Sequence, residues 1–189
     1  MLILVRHGRT AANAEGLLQG RLDQHLDDVG RAQALAVAAM LGEVDDVISS
    51  PLMRAMETAE AFGQHVTVDE RWIELSYGCF EGQPYAGVTT DVWARWYEDP
   101  NFVPDGGESL VALDERVGGA LEDVLAQAGE RNVVVVTHVS PIKAAVARVI
   151  GGSHDFAFRS HLSHAAVCRI QVRAFGPVLF SFNETAPTM

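Results

Sequence analysis

Leu2-Ile3-Leu4-Val5 opens the chain as an unbroken apolar run, and Asp45 to Ser49 and Asn132 to Val136 repeat the pattern. Runs this short, without polar alternation, suit strands buried on both faces of a parallel sheet. A helix-like segment follows each. Asp27 to Leu41 is Ala-rich, with Val29, Ala32, Leu35, Ala36, Ala39 and Met40 near helical spacing, and Gly42 supplies a stop. Pro51 to Phe62 and Pro141 to Ile150 each open with proline directly after serine and end at Gly63 and Gly151. That order predicts a Ser N-cap followed by proline at the first helical position. Ser109 to Gln127 is a third long amphipathic stretch. Strands alternating with helices predict an α/β fold, a three-layer sandwich with a largely parallel central sheet and helices on both faces.

Ala165 to Val172 alternates like a half-exposed strand, and Pro177 to Phe182 follows Gly176, which predicts a C-terminal hairpin on a sheet edge. His65 to Val68 reads as one more short strand. The stretch from Trp72 to Gly107 is rich in Gly and Pro and carries the cluster Trp93, Trp96, Tyr97 and Phe102. It is the candidate lid or substrate-shaping insertion of what is otherwise a single domain, 1–189. Trp93, Trp96 and Tyr97 fit helical spacing, so packing of a lid helix is favoured over direct substrate stacking.

Hydrophobic residues make up 48% of the 189 and charged residues 21%, which allows a packed core. Fourteen Lys and Arg stand against 25 Asp and Glu, for a formal net charge of −11. Binding driven by counterion release from a phosphate backbone is therefore not expected, and neither nucleic acid nor a membrane is an expected partner. Ala34 to Leu41, the longest apolar run, is far short of the ~20 residues that span a bilayer. The N-terminus lacks a charged region and a small-residue cleavage site, and Cys79 and Cys168 are in neither a C-x-x-C nor a zinc spacing. These features predict a cytoplasmic protein. The oligomeric state is not encoded legibly.

Three predicted strands end in unusual residues: Arg6-His7-Gly8, Ser49-Ser50-Pro51 with Arg54, and Thr137-His138. In an open α/β sheet, ligands sit beyond the carboxyl ends of the strands, so two His and two Arg are expected to share one crevice. Helix N-termini at Pro51 and Pro141 would add backbone donors suited to a phosphate group. A neutral imidazole is a nucleophile and a phosphoryl group is an electrophile whose oxygens need cationic donors. Nearby arginines should lower the pKa of the attacking His, and its other nitrogen must donate, for instance to a backbone carbonyl, to fix the tautomer. Glu74, after the short strand and at the start of the candidate lid, is the candidate general acid.

The motifs Arg6-His7-Gly8-Arg9-Thr10, Asn13, Gln19-Gly20, Ser49-Ser50-Pro51-Leu52-Met53-Arg54, Glu74 with Phe80-Glu81-Gly82, Gly106-Gly107-Glu108-Ser109 and Val136-Thr137-His138 closely resemble the histidine phosphatase superfamily, in its phosphoglycerate-mutase-like branch. The resemblance covers Leu2 to about Ile150. It implies His7 as the phosphorylated nucleophile, Arg6, Arg54 and His138 as the phosphate pocket, and Glu74 as proton donor and later activator of water. It further implies substrate contacts from Thr10, Asn13, the Gln19-Gly20 backbone and the amide of Val139, and a C-terminal tail that brings Asn183 and Glu184 near the site. It implies no metal and no cofactor, and a small phosphorylated metabolite as substrate.

Mutases of that branch carry Tyr-Gly-x-Leu-x-Gly-Leu-Asn-Lys after the acidic residue and then a paired Arg. Here Tyr77-Gly78-Cys79-Phe80-Glu81-Gly82-Gln83-Pro84 stands there, with no Arg pair downstream, which favours a phosphatase over a phosphoglycerate mutase. A phosphoprotein phosphatase requires an open lid, and a non-catalytic module binding a phosphorylated ligand would be expected to have lost His7 or Glu74, both of which are present. Asp23-Gln24-His25-Leu26-Asp27 replaces the usual Asp-x-Pro-Leu-Thr, with Asp27 still able to cap, and Arg9 stands where Glu or Gln is common and would add a cation at the pocket rim. His154, His161 and His164 with Asp155, and likewise His25 and His65, are expected to be ordinary surface residues rather than metal ligands. Lys143, the only lysine, is expected to be a solvated helix residue, and nothing near Cys79 marks it as reactive.

Overall fold

The computed structural model of the chain describes residues 1–187. Among these residues, six strands, β1 (Leu2–Arg6), β2 (Asp46–Ser49), β3 (Val66–Val68), β4 (Val133–Thr137), β5 (Val167–Arg173) and β6 (Gly176–Glu184), form one sheet in the order β3-β2-β4-β1-β5-β6. The four from β3 to β1 are parallel, β5 runs antiparallel to β1, and β6 closes the edge as the second arm of a hairpin. The central strands β1 and β4 are the apolar runs of the sequence. Their side chains alternate between two cores: Leu2, Leu4, Val133 and Val135 point into one, Ile3, Val5, Val134 and Val136 into the other. Both faces being covered, neither strand needs a polar side. Each such Val or Leu contributes about 1.5–3 kcal/mol on burial.

Among the described residues, seven α-helices accompany the sheet: α1 (Ala11–Ala14), α2 (Asp28–Leu41), α3 (Met53–Glu60), α4 (Thr90–Glu98), α5 (Leu110–Gln127), α6 (Val139–Ile150) and α7 (Asp155–Arg159). Val37 of α2 and Ala55 and Ala59 of α3 cover one face, whereas Leu113, Val117 and Leu121 of α5 and Ile142 and Val146 of α6 cover the other. Asp27 caps α2 by accepting from the Gly30 amide at 2.7 Å, as the sequence predicts, and Ser109 caps α5 by accepting from the Ala112 amide at 3.0 Å. The predicted three-layer α/β sandwich with an edge hairpin is the observed architecture.

Two helix starts differ from the expectation. Helix α3 begins at Met53, not at Pro51, and Leu52 at its N-cap offers no side chain; the Met53 amide instead donates to Oδ1 of Asp23 at 2.7 Å. Helix α6 begins at Val139 with His138 as N-cap, so Pro141 sits at the third helical position rather than the first. Proline is tolerated anywhere in the first turn because those amides have no intrahelical acceptor. Ser50 is thereby released from capping for a role in the site. The stretch 72–107 contains short 3-10 turns and α4, whose Trp96 is buried against Tyr77, Phe80 and Phe102 with ring centroids 5.4 to 5.7 Å apart. Among the described residues, no helix is long and apolar enough to cross a membrane.

Candidate active site

The carboxyl ends of β1, β2 and β4 lie side by side. The His7 amide donates to the Thr137 carbonyl at 2.9 Å and the Ser50 amide to the Val136 carbonyl at 3.0 Å, so the three strand exits share one crevice. The turn after His7 packs tightly on α2: a Cβ on Gly8 would stand 2.3 Å from the Gly30 carbonyl oxygen, and one on Gly30 would stand 2.0 Å from that of Arg9. Both positions require glycine because backbone meets backbone. Thr58, one turn beyond Arg54, accepts from the Gly8 amide at 3.1 Å.

His7 is buried, with Nδ1 2.6 Å from its neighbour's carbonyl, that of Gly8, and Nε2 3.3 Å from Nε of Arg54. A carbonyl can only accept and a guanidinium can only donate, so Nδ1 carries the proton and Nε2 presents its lone pair. Burial first, then Arg54 and Arg6, hold the His7 pKa well below its usual value and keep the ring neutral. The anchored tautomer is the one that a nucleophilic histidine requires.

Arg54 is oriented by main-chain carbonyls: Nη1 donates to Leu22 at 2.8 Å and Nη2 to Gly20 at 2.6 Å. Arg6 donates from Nη1 to the Leu162 carbonyl at 2.6 Å. Burial pulls the pKa of Arg6 and of Arg54 down to about 10, with Glu74 opposing the shift in both. His138 lies beside His7, ring centroids 5.0 Å apart, with Nε2 2.7 Å from Oγ of Ser50. Its pKa too is held well below the usual value, by burial first and then by Arg54 and His7. Arg6 Nε, His138 Nδ1 and Gln19 Nε2 are buried without a protein partner. Buried polar atoms are paired in the great majority of cases, and an anion placed among these residues is the kind of group that would engage them.

Glu74 is buried; its Oε1 accepts from the Leu75 amide at 2.8 Å and from the Ser140 amide, in the first turn of α6, at 3.2 Å. The loop that presents it is held by residues outside the candidate set read from the sequence. Arg116 on α5 donates to the carbonyls of Arg71 and Ile73 at 2.7 Å each and of Glu74 at 3.2 Å, and Arg21 Nε reaches the same Glu74 carbonyl at 3.2 Å. Glu108 ties both arginines, to Arg116 at 2.7 Å and to Arg21 at 3.1 Å. The Gly106-Gly107-Glu108-Ser109 motif was the available signal for Glu108; nothing local marks Arg116 or Arg21.

Thr10 caps α1, accepting from the Asn13 amide at 3.2 Å and donating toward Asn13 Oδ1 and Gln19 Oε1 at 3.1 Å. Asn13 and Gln19 thus lie together on the turn beyond His7. Gly20, at φ +52°, gives its carbonyl to Arg54, and Val139 opens α6 next to His138. Arg9 turns to Asp27, Nε to Oδ2 at 2.7 Å, and serves the cap of α2. Asn183 and Glu184 lie on β6, where Asn183 Oδ1 accepts from the Ser163 amide at 2.7 Å and Glu184 pairs with Arg169 at 3.1 Å. Lys143 is not solvated as expected: it is buried, and Nζ donates to the carbonyls of Ala157 at 2.6 Å and Ser160 at 2.7 Å. Those carbonyls end α7, a contact that no local pattern encodes. Among the described residues, no three His, Cys, Asp or Glu side chains gather as metal ligands.

A family model described as the histidine phosphatase superfamily, branch 1, matches residues 2–185. The chain belongs to that superfamily. Within it, the chain is 38% identical over 160 residues to phosphoserine phosphatase 1 of Hydrogenobacter thermophilus, covering 79% of this chain and 76% of the relative. It is 35% identical over 166 residues to the glucosyl-3-phosphoglycerate phosphatase of Mycolicibacterium vanbaalenii, covering 79% and 74%. Its structure is similar to that of a phosphoserine phosphatase mutant from Entamoeba histolytica in complex with phosphoserine, with a TM-score of 0.89, 29% identity and 96% and 95% coverage. The shared fold and the motif residues agree on one kind of enzyme, a phosphomonoesterase of this superfamily.

Proposed function

We propose that the chain hydrolyses small phosphate monoesters through a phosphohistidine formed at His7. The observation that carries this reading is the His7 ring itself, with Nδ1 bonded to the Gly8 carbonyl at 2.6 Å and the Nε2 lone pair turned toward Arg54, whose Nε lies 3.3 Å away. In the first step Nε2 attacks phosphorus, the phosphorus–oxygen ester bond breaks, and the leaving oxygen takes a proton from Glu74. In the second step Glu74 takes a proton from water, the water oxygen attacks phosphorus, and the phosphorus–nitrogen bond breaks to return neutral His7 and inorganic phosphate. Arg6, Arg54 and His138 surround the transferred group and meet the charge that builds on its oxygens in both steps. Thr10, Asn13, Gln19, Gly20 and the Val139 amide stand around that position as further contacts, and the segment 72–107 walls the side on which the alcohol departs.

The substrate in this reading is a small phosphorylated metabolite, as is the phosphoserine bound by the relative from Entamoeba histolytica. The test is phosphate release from a panel of sugar phosphates, phosphoglycerates, phosphoserine and nucleotides in EDTA, with His7→Ala alongside and the quenched enzyme examined for phosphate on His7. Release is expected to survive EDTA and to vanish in the variant. Undiminished release by His7→Ala would overturn the route.

A further inference from the structure

A cavity of about 640 Å³ opens beside Glu74, between α4, α5, α6 and α7. None of His7, Arg6, Arg54, His138 or Glu74 itself lines it, but Leu75, Tyr77, Val139 and Ser140, next to Glu74 in chain or in space, do. Ser140 is the residue whose amide holds Glu74 Oε1 at 3.2 Å, and Leu75 follows Glu74 in the chain. The departing oxygen must lie next to the group that protonates it, so the void lined by Leu75 and Ser140, the two residues whose amides hold Glu74, is where the rest of the alcohol has room.

The walls of this cavity say what it fits. Trp96 is 2% exposed and belongs to the core, Trp93 is partly buried against it, and Tyr85 is exposed. Trp93 and Tyr85 line the cavity and stack on one another, centroids 4.6 Å apart with ring planes 29° from parallel. Phe158 lines it as well, edge-on to Tyr97 with centroids 5.4 Å apart. Asp114, Arg148, Ser153 and His154 also line it, the first two paired with each other at 2.8 Å, while Ser140, Lys143 and Trp96 are its buried polar groups. Lys143 spends two of its three N–H donors on the Ala157 and Ser160 carbonyls and has one left, and the indole N–H of Trp96 is buried without a partner. Cavities of roughly 300–1,000 Å³ enclose drug-sized molecules, far more than the three-carbon frame of serine occupies.

Resting on the phosphatase reading above, we infer that the preferred substrate is a phosphate monoester of a primary alcohol bearing a flat ring with hydrogen-bond acceptors. The ring lies against Trp93 and Tyr85, and its acceptors meet Lys143 Nζ and the Trp96 indole N–H. Aromatic and apolar walls supply affinity by burying the ring, while the two donors fix its orientation. Small ring-free alcohols leave both donors unmet and most of the walls uncovered.

The test compares kcat/KM for adenosine 5′-monophosphate with that for phosphoserine and glycerol 3-phosphate, all of which release an aliphatic alcohol. The ring-bearing ester is expected to lead by about 10- to 100-fold, the range that filling such a pocket provides. Trp93→Ala and Tyr85→Ala are expected to collapse this ratio mainly through a raised KM for the ring-bearing ester. Tyr85 is 59% exposed, so its variant preserves the fold even if Trp93→Ala does not. An active enzyme that ranks the esters equally, or whose ratio survives both substitutions, would overturn this inference and leave the phosphatase reading intact. Folded protein that releases phosphate from no ester would overturn both.

Discussion

Arg116 Nη2 stands 3.2 Å from the carbonyl oxygen of Glu74, forty-two positions away in sequence, while its other donors bind the Arg71 and Ile73 carbonyls and Glu108. One guanidinium therefore fixes the loop whose carboxylate the proposed mechanism uses as acid and base. Arg116→Met is expected to lower kcat by about 10- to 100-fold on alkyl phosphates through misplacement of Glu74. The loss should be much smaller on p-nitrophenyl phosphate, whose leaving group needs little protonation, and Arg116→Lys should restore part of it. An equal loss on both esters would reduce Arg116 to a structural brace.

The same leaving-group logic applies at Glu74 directly. Its Oε1 is held by two amides, from Leu75 at 2.8 Å and Ser140 at 3.2 Å, so Glu74→Gln keeps the shape but forfeits the proton. Turnover is expected to fall by about 10²- to 10⁴-fold, most for the poorest leaving groups. A plot of log kcat/KM against the pKa of the leaving alcohol should therefore be steeper in the variant than in the parent. Parallel lines would remove Glu74 from the proton-donor role.

The parts of the molecule legible in sequence are those whose physics is local. Strands β1 and β4 are covered on both faces and spell themselves as apolar runs; Asp27 and Ser109 cap helices three residues ahead. His7, Arg6, Arg54 and His138 could be placed because each lies at or shortly beyond a strand end in a recognisable motif. What escaped is long-range. The cap of α3 comes from Asp23, thirty residues upstream of the amide it accepts from, so the adjacent Ser50-Pro51 misled; Ser50 instead contacts His138. Lys143 is buried because α7 brings two free carbonyls to it, and Arg116 and Arg21 act on Glu74 across the fold. No spacing rule connects such pairs.

The cationic pocket also predicts a stabilisation by anions. Arg6 and Arg54 carry charges that burial disfavours, and Arg6 Nε has no partner. An oxyanion bound there supplies the missing countercharge in the folded state alone. Inorganic phosphate or vanadate at a hundred times its dissociation constant should add about 2.7 kcal/mol, which in a domain of this size raises Tm by roughly 5–10 °C. Arg54→Met should lose most of that shift. A Tm in the parent that does not move with either anion would show that the pocket does not bind the phosphoryl group.

His7 and His138 make the fold acid-sensitive in a definable window. Both are buried, and both have folded pKa values well below the usual histidine value, by burial first and then by nearby cations. The unfolded chain takes up protons on them near pH 6.5, whereas the folded chain does not, so stability is complete above that pH and is lost as pH falls below it. Each histidine contributes about 1.4 kcal/mol of loss per pH unit until its folded pKa is reached. His164, lowered to about 4 chiefly by burial, adds a loss of the same sign that ends near that pH. Asp27 and Asp69 have lowered values as well, and their contribution is lost only below about pH 3.8, which leaves pH 5 to 6.5 to the histidines. Urea unfolding in phosphate-free buffer should show stability falling through that interval, with His138→Gln reducing the slope by one histidine's worth. A flat profile between pH 7 and 5 would mean that the two rings do accept protons in the folded protein, and the neutral nucleophile on which the mechanism depends would be lost with it.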